Sequence, residues 1–502
     1  TQGKLEEAIE AYTKALSIKP DYAEVWNNLY PPLQAMKSRV ESAEDLMSFY
    51  PRVSSSNYSK IENSLLHYRL QRGQKSKKST LADTLHCLST AENISIQNPD
   101  SEDTNQHQDV LPAKIVALVH FGRSGTGLMH SLIDGHSEVS TLPSIYFSEY
   151  FDRSIWNRII SDGWHGMVDR FISIYELLFD ATSSVPVKST GNNMLRNLGI
   201  NMGMANVGFQ KNEILSVDKG RFSGELSRLI ASYNELDAFS FFKLVHKAFD
   251  IATDDMEQKK MIFYHIHNPS VHAQLNFARF SPNISWIMMV REPIQSCESW
   301  IRRSFRENDH FGVSSRILTM LFEIDNAVYS GPNALGVRLE DLKTDPQKTI
   351  PSLCLWLGIQ ENESLYKMTM QGEKWWGDPS SPDYSSNGMD PFDDKPIKRN
   401  VGSILSQNDQ FILSTFFYPF SVEFGYIDSN LKHFKMNLHK VKLMICKPFD
   451  FEKAIVKRTN QDINSFMHSG SYIYFRSILK DRWNVLSEFH TYPNMIKPLK
   501  IY

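Results

Sequence analysis

The chain has 502 residues, of which 41% are hydrophobic and 22% charged, enough for one large domain with appendages or for two to three ordinary domains. Its net charge of -3 argues against a dedicated nucleic-acid binder, which is usually strongly basic. The four cysteines lie far apart without metal-type spacing, and no stretch approaches the roughly 18 to 20 apolar residues of a membrane span. These features predict a protein of the reducing cytoplasm, with no disulfide framework and no membrane helix.

Residues 1–30 carry a repeat-like pattern. In "GKLEEAIEAYTKALSIKPDYAEVWNNL" small and aromatic residues recur at the spacing of paired helices, at Gly3, Ala8, Tyr12, Ala15, Pro20 and Ala23. The pattern resembles one unit of the tetratricopeptide repeat family, although an ordinary amphipathic helix is the alternative. A single unit does not bury its own face, and the chain begins in mid-pattern without a methionine, so we expect a longer array that binds a protein partner.

Residues 31–110 are predicted to connect this remnant to the main domain. Pro31 and Pro32 are expected to disrupt a continued helical repeat, and 31–70 reads as irregularly helical. From 71 to 109 the chain is polar, with "QKSKKST" and "NPDSEDTNQHQD", which predicts a linker or mobile surface insertion.

Buried strands alternate with helices from residue 111 onward. "KIVALVH" and "ISWIMMV", which ends at Val290, are typical of strands buried on both faces, and "ALGVRLE" predicts a third. One helix presents Leu128, Met129, Leu132 and Ile133 on one side and ends at Gly135, and another runs from Asp345-Pro346 to Gly358. Residues 155–250 read as mostly helical, with "FFKLVHKA" and "MIFYHIH" less certain. The sequence therefore predicts an α/β, P-loop-like three-layer domain, with a central parallel sheet flanked by helices.

The stretch "FGRSGTGLMHSLIDGH" has the glycines of a phosphate loop but not its lysine. Its glycines allow successive amides to converge, and the following helix adds its positive N-terminal end. Arg123 supplies a permanent charge, and Ser124 and Thr126 supply hydroxyl donors. These features predict a socket for a tetrahedral oxyanion, with a purely structural glycine turn as the alternative.

A second basic strand end follows "ISWIMMV". Arg291 stands at its carboxyl end, Ser299 follows eight residues later on a helix, and Ser296, Ser299 and Arg303 share one helical face. Ligands of open parallel sheets lie outside the carboxyl ends of the strands. Two such ends predict a ligand with two separate anionic groups.

Together these motifs resemble the sulfotransferases that use 3′-phosphoadenosine 5′-phosphosulfate (PAPS), in particular the branch that carries tetratricopeptide repeats and the tyrosylprotein enzymes. The resemblance continues through "VRLEDLKTDPQKTIPSLCLWLGI", "KPIKRNVGSI" and "FGY", and we assign residues 111–430 to this domain. It implies transfer of a sulfuryl group to an acceptor hydroxyl of a carbohydrate or a peptide tyrosine. The residues that it implies for PAPS binding are Arg123, Ser124, Gly125, Thr126, Gly127, Arg291, Ser299, Lys398, Arg399 and Gly402. Gly127 departs from the family, which usually has Thr or Ser there.

The resemblance also implies a catalytic base, with Arg123 stabilising charge on the leaving oxygen. His267 in "HNP" is similar to the family's "T-H-x-P" histidine, while His265 and Glu149 are alternatives. His120, His130 and His136 are expected to be structural. No metal signature is present in the sequence, and a P-loop phosphotransferase would need a lysine that the loop lacks.

Other readings stay open at this point. A non-catalytic repeat scaffold with a degenerate nucleotide-binding domain is the alternative to an enzyme. The segment 374–396 is either an acceptor-binding loop or plain surface, and 431–502 is an extension to which the sequence assigns no chemistry beyond a solvated basic face.

Overall fold

The computed structural model covers most of the chain. The residues that it describes are 2–37, 46, 48–51, 56–70, 77–100, 110–143, 147, 149–186, 195–267, 269–280, 284–379, 381, 384–393 and 401–502.

The N-terminal region is a helical hairpin of α1 (Gln2–Ile18) and α2 (Ala23–Lys37). Contrary to expectation, α2 does not stop at Pro31 and Pro32 but continues to Lys37. The buried residues of this stretch compensate for the lost backbone hydrogen bonds, because Leu33 and Met36 join the same apolar cluster as Leu29.

The described part of the predicted linker, residues 77–100, forms regular secondary structure, while 71–76 and 101–109 lie outside the described residues. Helix α3 (Asn57–Leu70) packs against α4 (Lys77–Ala91), which lies inside the predicted linker, and the short strand β1 (Ser95–Gln97) follows. Leu81, Leu85 and Leu88 of α4 contact the apolar cluster of α3. Their spacing of four and three residues is the helical signal that the polar composition concealed.

A six-stranded parallel sheet forms the centre of the main domain. Its strands are β2 (Lys114–His120), β3 (Val139–Thr141), β7 (Met261–His265), β8 (Ile284–Val290), β9 (Ala334–Arg338) and β12 (Lys497–Pro498). Their order is β12-β9-β8-β2-β7-β3, and every pairing is parallel. The predicted α/β class is therefore confirmed, and "MIFYH", left open in the sequence, is the strand next to β2.

Helices surround this sheet. Between β2 and β9 these are α5 (Thr126–Asp134), α6 (Arg153–Ile159), α7 (Met167–Ile174), α8 (Leu198–Asn201), α9 (Lys219–Ala231), α10 (Ala238–Ala252), α11 (Val271–Ala278), α12 (Pro293–Arg306) and α13 (His310–Glu323). After β9 come α14 (Leu339–Thr344), α15 (Pro346–Leu357), α16 (Gln407–Glu423), α17 (Leu431–Met444), α18 (Asp450–Arg458), α19 (Ile463–Met467) and α20 (Gly470–Phe489). Short antiparallel pairs join β1 to β6 (Glu235–Asp237), β4 (Val185–Pro186) to β5 (Leu195–Arg196), and β10 (Thr369–Met370) to β11 (Glu373–Lys374).

The C-terminal segment belongs to this core. β12 extends the central sheet beside β9, and the amide of Leu499 donates to the carbonyl of Gly336 at 2.8 Å. Arg482 pairs with Asp325 at 3.0 Å with both side chains fully buried, and Asp325 also accepts from the Asn494 amide. The segment 431–502 therefore closes one edge of the sheet, a role that its sequence did not indicate.

The N-terminal hairpin rests on the same segment. The rings of Tyr30 in α2 and Tyr474 in α20 lie 5.8 Å apart, and Lys37 pairs with Asp481 at 3.1 Å. No described helix is both long and apolar enough to cross a bilayer.

Candidate active site

Three neighbouring strands bring predicted site residues to the same end of the sheet, where the strands reach their carboxyl ends. In the order β8-β2-β7, Arg291 follows β8, the glycine loop 121–125 follows β2, and His267 lies two residues beyond β7. Because the strands are parallel, these segments leave the same edge. The adjacency of β2 to both partners places the loop between Arg291 and His267.

The loop after β2 requires glycine at two positions. Gly122 and Gly125 have φ values of 64° and 89°, in the left-handed region that favours glycine. A Cβ on Gly125 would stand 2.7 Å from Cδ1 of Leu339, and one on Gly122 would overlap Oγ of Ser296. The turn is therefore fixed both by its backbone conformation and by its close contact with α12 and α14.

The side chains of the loop differ in where they lie. Ser124 is buried, and its Oγ accepts from the amide of Phe121 at 3.2 Å, which closes the turn. Arg123 is exposed, while Thr126 and Gly127 form the half-buried first turn of α5. The first amides of a helix have no intrahelical acceptors, so this turn directs donors and the positive helix end outward.

Arg291 is held at the start of α12. Its side chain is 3% exposed, and Nη2 donates to Oε1 of Gln295 at 3.3 Å. Glu292 caps the helix by accepting from the Gln295 amide at 2.8 Å, and Pro293 occupies the first helical turn. The arginine is thus placed by a regular strand-to-helix junction.

Glu298, the residue before Ser299 on α12, contacts a turn from the distant C-terminal part of the domain. Ser299 is buried on α12, and its neighbour Glu298 accepts from the amides of Gly402, Ser403 and Leu405 at 2.9, 3.0 and 3.2 Å. The structure therefore brings Gly402 to the helix of Arg291 and Ser299. Lys398 and Arg399 lie outside the described residues.

His267 lies against the end of β2. Its ring centroid is 5.1 Å from that of His120, whose ring stands 5.2 Å from Trp300 of α12. Nδ1 of His120 lies 3.0 Å from the carbonyl of Gly122, and because a carbonyl only accepts, Nδ1 carries the proton. His120 thereby links the glycine loop to His267.

The environment of His267 keeps its imidazole neutral. Burial, followed by the nearby His120 and Arg123, lowers the pKa of His267 to about 3. Its Nδ1 is buried and has no hydrogen-bond partner in the described part of the chain. The neutral imidazole of His267 has a lone pair that can accept a proton. Its protonated form, next to the positive charge of Arg123, would be stabilised when a bound anion offsets that charge.

The alternative bases lie in different surroundings. His265 is buried within β7, and burial together with His267, His130 and His120 lowers its pKa well below the usual value. Glu149 is exposed before α6. His136 donates from Nε2 to the carbonyl of Gln360 at 2.7 Å and accepts from the Glu138 amide, which fixes it in a structural role.

Arg338, a third arginine at a strand end, lies at the end of β9 and contacts side chains of the protein itself. Arg338 lies 3.5 Å from Asp341 and 4.7 Å above the Tyr426 ring. Glu340 accepts from the Tyr426 hydroxyl and from the Glu292 amide, both at 3.0 Å. The "EDL" and "FGY" segments of the sequence therefore meet here and support the junction that carries Arg291.

Three side chains of the site were not predicted as part of it. Ser296 donates to the carbonyl of Phe121 at 2.7 Å, and Glu298 and His120 make the contacts given above. Ser296 had a signal, its position one turn from Ser299, whereas nothing local in the sequence marks Glu298. Arg303, expected on the same face, is exposed and pairs with Glu307 at 2.9 Å. Among the described residues no group of three or more His, Cys, Asp or Glu could hold a metal ion.

Comparison with known proteins gives a match to one family model and similarity to solved structures. The tetratricopeptide repeat family model matches residues 1–29. Among solved structures, the chain is similar to the sulfotransferase domain from the Synechococcus PCC 7002 olefin synthase, with 18% identity over 64% of this chain and 98% of that one and a TM-score of 0.32. It is also similar to the sulfotransferase domain from the curacin biosynthetic pathway (13% identity, 70% and 99% coverage, TM-score 0.26) and to sulfotransferase STF9 from Mycobacterium avium (11%, 67% and 84%, TM-score 0.26). No curated protein matches the chain.

Proposed function

We propose that this chain is a sulfotransferase that moves a sulfuryl group from PAPS to a hydroxyl of a carbohydrate or a peptide tyrosine by in-line transfer. The observation that carries the proposal is the arrangement at one sheet edge, where the glycine loop with Arg123 lies between Arg291 and His267 on adjacent strands. Two basic positions suit a ligand with two anionic ends, and the motifs at these positions resemble the PAPS-dependent family.

The loop after β2 suits the phosphosulfate end of the donor. The left-handed glycines leave room where a Cβ would otherwise stand, and the first turn of α5 supplies amide donors. Arg123 and Thr126 add a positive charge and a hydroxyl donor. Such preorganised donors stabilise the negative charge that develops on the bridging oxygen as the nucleotide leaves.

The end of β8 suits the 3′-phosphate. Arg291 offers a forked cation whose side chain is already buried and oriented, and Ser299 adds a hydroxyl from the same helix. The turn at Gly402 lies close by through its bond to Glu298. A nucleotide without a 3′-phosphate would lack the group that Arg291 and Ser299 are proposed to bind.

His267 is the residue best placed to accept the acceptor's proton. As the acceptor oxygen bonds to sulfur, its proton passes to the neutral imidazole, and the electron pair of the broken S–O bond stays on the phosphate of the nucleotide. The positive charge formed on His267 lies beside the departing anion, which offsets the field of Arg123. His120, fixed by Gly122, holds the ring of His267 from one side.

The N-terminal hairpin suits recruitment of a protein partner or acceptor. It matches the repeat family over residues 1–29 and is fastened to α20 through Tyr30 and Lys37. A partner bound there would therefore be held in a defined position relative to the main domain.

Nucleotide binding tests this proposal. Isothermal titration of the full chain with 3′-phosphoadenosine 5′-phosphate should give saturable binding that Arg291→Ala weakens by about tenfold or more, since a charged hydrogen-bond partner is lost. Arg303→Ala is the matched control, because Arg303 lies on the helix that follows Arg291, is exposed and pairs with Glu307. It should bind like the unaltered chain.

Transfer is then measured with labelled donor and a panel of glycans and tyrosine peptides. Label should reach an acceptor hydroxyl. Absence of nucleotide binding would contradict the proposal and favour a non-catalytic repeat scaffold.

A further inference from the structure

Glu298 joins two parts of the chain that are far apart in sequence. It lies on α12 directly before Ser299 and is 2% exposed. Its carboxylate accepts four hydrogen bonds from the Gly402–Leu405 turn, three from amides and one from the Ser403 hydroxyl at 2.6 Å. A single side chain therefore fixes this turn more than a hundred residues away.

The carboxylate is ionised in this position. Burial alone would raise the pKa of Glu298, but the hydrogen bonds from Ser403, Gly402 and Leu405 outweigh it and hold the pKa below its usual range. A buried carboxylate next to a predicted phosphate subsite would repel the ligand if its charge were not compensated. Here the compensation comes from the turn, so the turn and the carboxylate depend on each other.

The backbone of the turn suits this contact. Gly402 has a φ of 112°, in the left-handed region, and its amide donates to Glu298. Two residues earlier on the same helix, Ser296 donates to the carbonyl of Phe121 and so holds the glycine loop. Ser296 and Glu298 of α12 thus hold two different segments, the glycine loop and the Gly402–Leu405 turn.

We infer that Glu298 is a positioning residue that holds the Gly402–Leu405 turn against α12, the helix that carries Ser299, and so determines the selectivity of this site for nucleotides with a 3′-phosphate. The inference rests on the proposed function and extends it to a residue that does not touch the donor. The expected defect is specific: loss of Glu298 displaces the Gly402–Leu405 turn from α12 and leaves the loop after β2 in place.

The test compares two nucleotides on the full chain. Dissociation constants of 3′-phosphoadenosine 5′-phosphate and adenosine 5′-phosphate are measured by titration calorimetry for the unaltered chain and for Glu298→Gln. The preference for the 3′-phosphate should fall by about tenfold or more, because charge-assisted hydrogen bonds to the turn are lost. Binding of adenosine 5′-phosphate should change little.

Two further variants separate positioning from general stability. Glu138→Gln is the matched control. Glu138 accepts from the Gln360 amide at 2.9 Å and pairs with Lys260, which precedes β7. Both residues lie at the amino ends of the strands, away from the candidate site. This variant should keep the preference. Ser403→Ala removes one of the four bonds from an exposed residue, and it should lower the preference about two- to threefold even if Glu298→Gln fails to fold.

The outcomes are distinct. An unchanged preference in Glu298→Gln, or in Ser403→Ala where the former does not fold, overturns the inference and leaves the proposed function standing. Equal weakening of both nucleotides also overturns it, since that is the result of a merely structural role. An unaltered chain without any preference for the 3′-phosphate contradicts the proposed function itself and the inference with it.

Discussion

The strand ends of β2 and β8 hold their arginines in different ways. Arg123 leaves a left-handed glycine turn and is exposed, whereas Arg291 is 3% exposed and donates to Gln295 on the helix that follows. The turn around Arg123 is fixed by Leu339 and Ser296, but its side chain lies outside that packing. The backbone is thus rigid at both ends, and the side chain is rigid only at β8.

Under the proposed function, this difference predicts two roles for the two arginines. A buried, oriented arginine contributes to binding before reaction, because its ordering cost was met on folding. An exposed arginine side chain can change its position as negative charge develops on the leaving oxygen of the proposed reaction. We therefore expect changes at β8 to alter nucleotide affinity, and changes at β2 to alter the rate of transfer.

Arg123→Ala should have the largest effect. Loss of a cation that stabilises the developing charge is expected to lower kcat by about 10²- to 10³-fold, while the affinity for 3′-phosphoadenosine 5′-phosphate changes far less. Steady-state kinetics and titration calorimetry measure the two quantities separately. If affinity fell as strongly as kcat, both arginines would serve ground-state binding and the contrast between the strand ends would be wrong.

His267→Ala should lower kcat by roughly a hundredfold, the usual contribution of a general base. His267→Gln is the control for size. Since the pKa of His267 is about 3 in the unliganded chain, the neutral base form is present above that value and is lost only as pH falls through it. The profile of kcat/KM should therefore be flat from about pH 8 to pH 5.

The outcome against this assignment is equally clear. An unchanged rate in His267→Ala would transfer the role to His265 or Glu149. An acidic limb near pH 6.5 that disappears in His267→Ala would show that the ring is far more solvated than its burial among His120 and His265 indicates.

The sheet and the phosphate-type loop were predictable because their signals are local. The runs "KIVALVH" and "ISWIMMV" are apolar on both faces, and Gly122 and Gly125 stand where the backbone needs positive φ. The helix from Pro346 to Leu357 ends at Gly358 as predicted, since its start and stop residues also act locally.

What the sequence did not indicate depends on long-range contacts. The role of Glu298 is defined by amides more than a hundred residues away, and the closing of the sheet by 431–502 depends on Asp325 meeting Arg482 and Asn494. Strand β7 was ambiguous because five apolar or aromatic residues fit a buried helix as well as a strand. For the candidate site, the sequence therefore predicted residues that are proposed to bind the ligand, but not the side chains that hold those residues in place.

The smallest expected effect is a difference in stability between alanine substitutions at two glycines that follow β2. Gly125→Ala should destabilise the chain by about 1–3 kcal/mol, because φ is 89° and the new Cβ would stand 2.7 Å from Leu339. Gly127→Ala is the matched control, since it lies in α5 and its Cβ would meet only Trp375, at 3.7 Å. Thermal or urea denaturation measures both.

Gly127→Ser sharpens the same test. A Cβ at residue 127 would contact Trp375 at an ordinary van der Waals distance, so the variant should fold like Gly127→Ala. Its hydroxyl restores the donor that the resembled family has at this position. A higher kcat than that of Gly127→Ala would place this helical turn against the transferring group. Equal destabilisation by Gly125→Ala and Gly127→Ala would contradict the left-handed turn and, with it, the rigid backbone that the contrast between Arg123 and Arg291 requires.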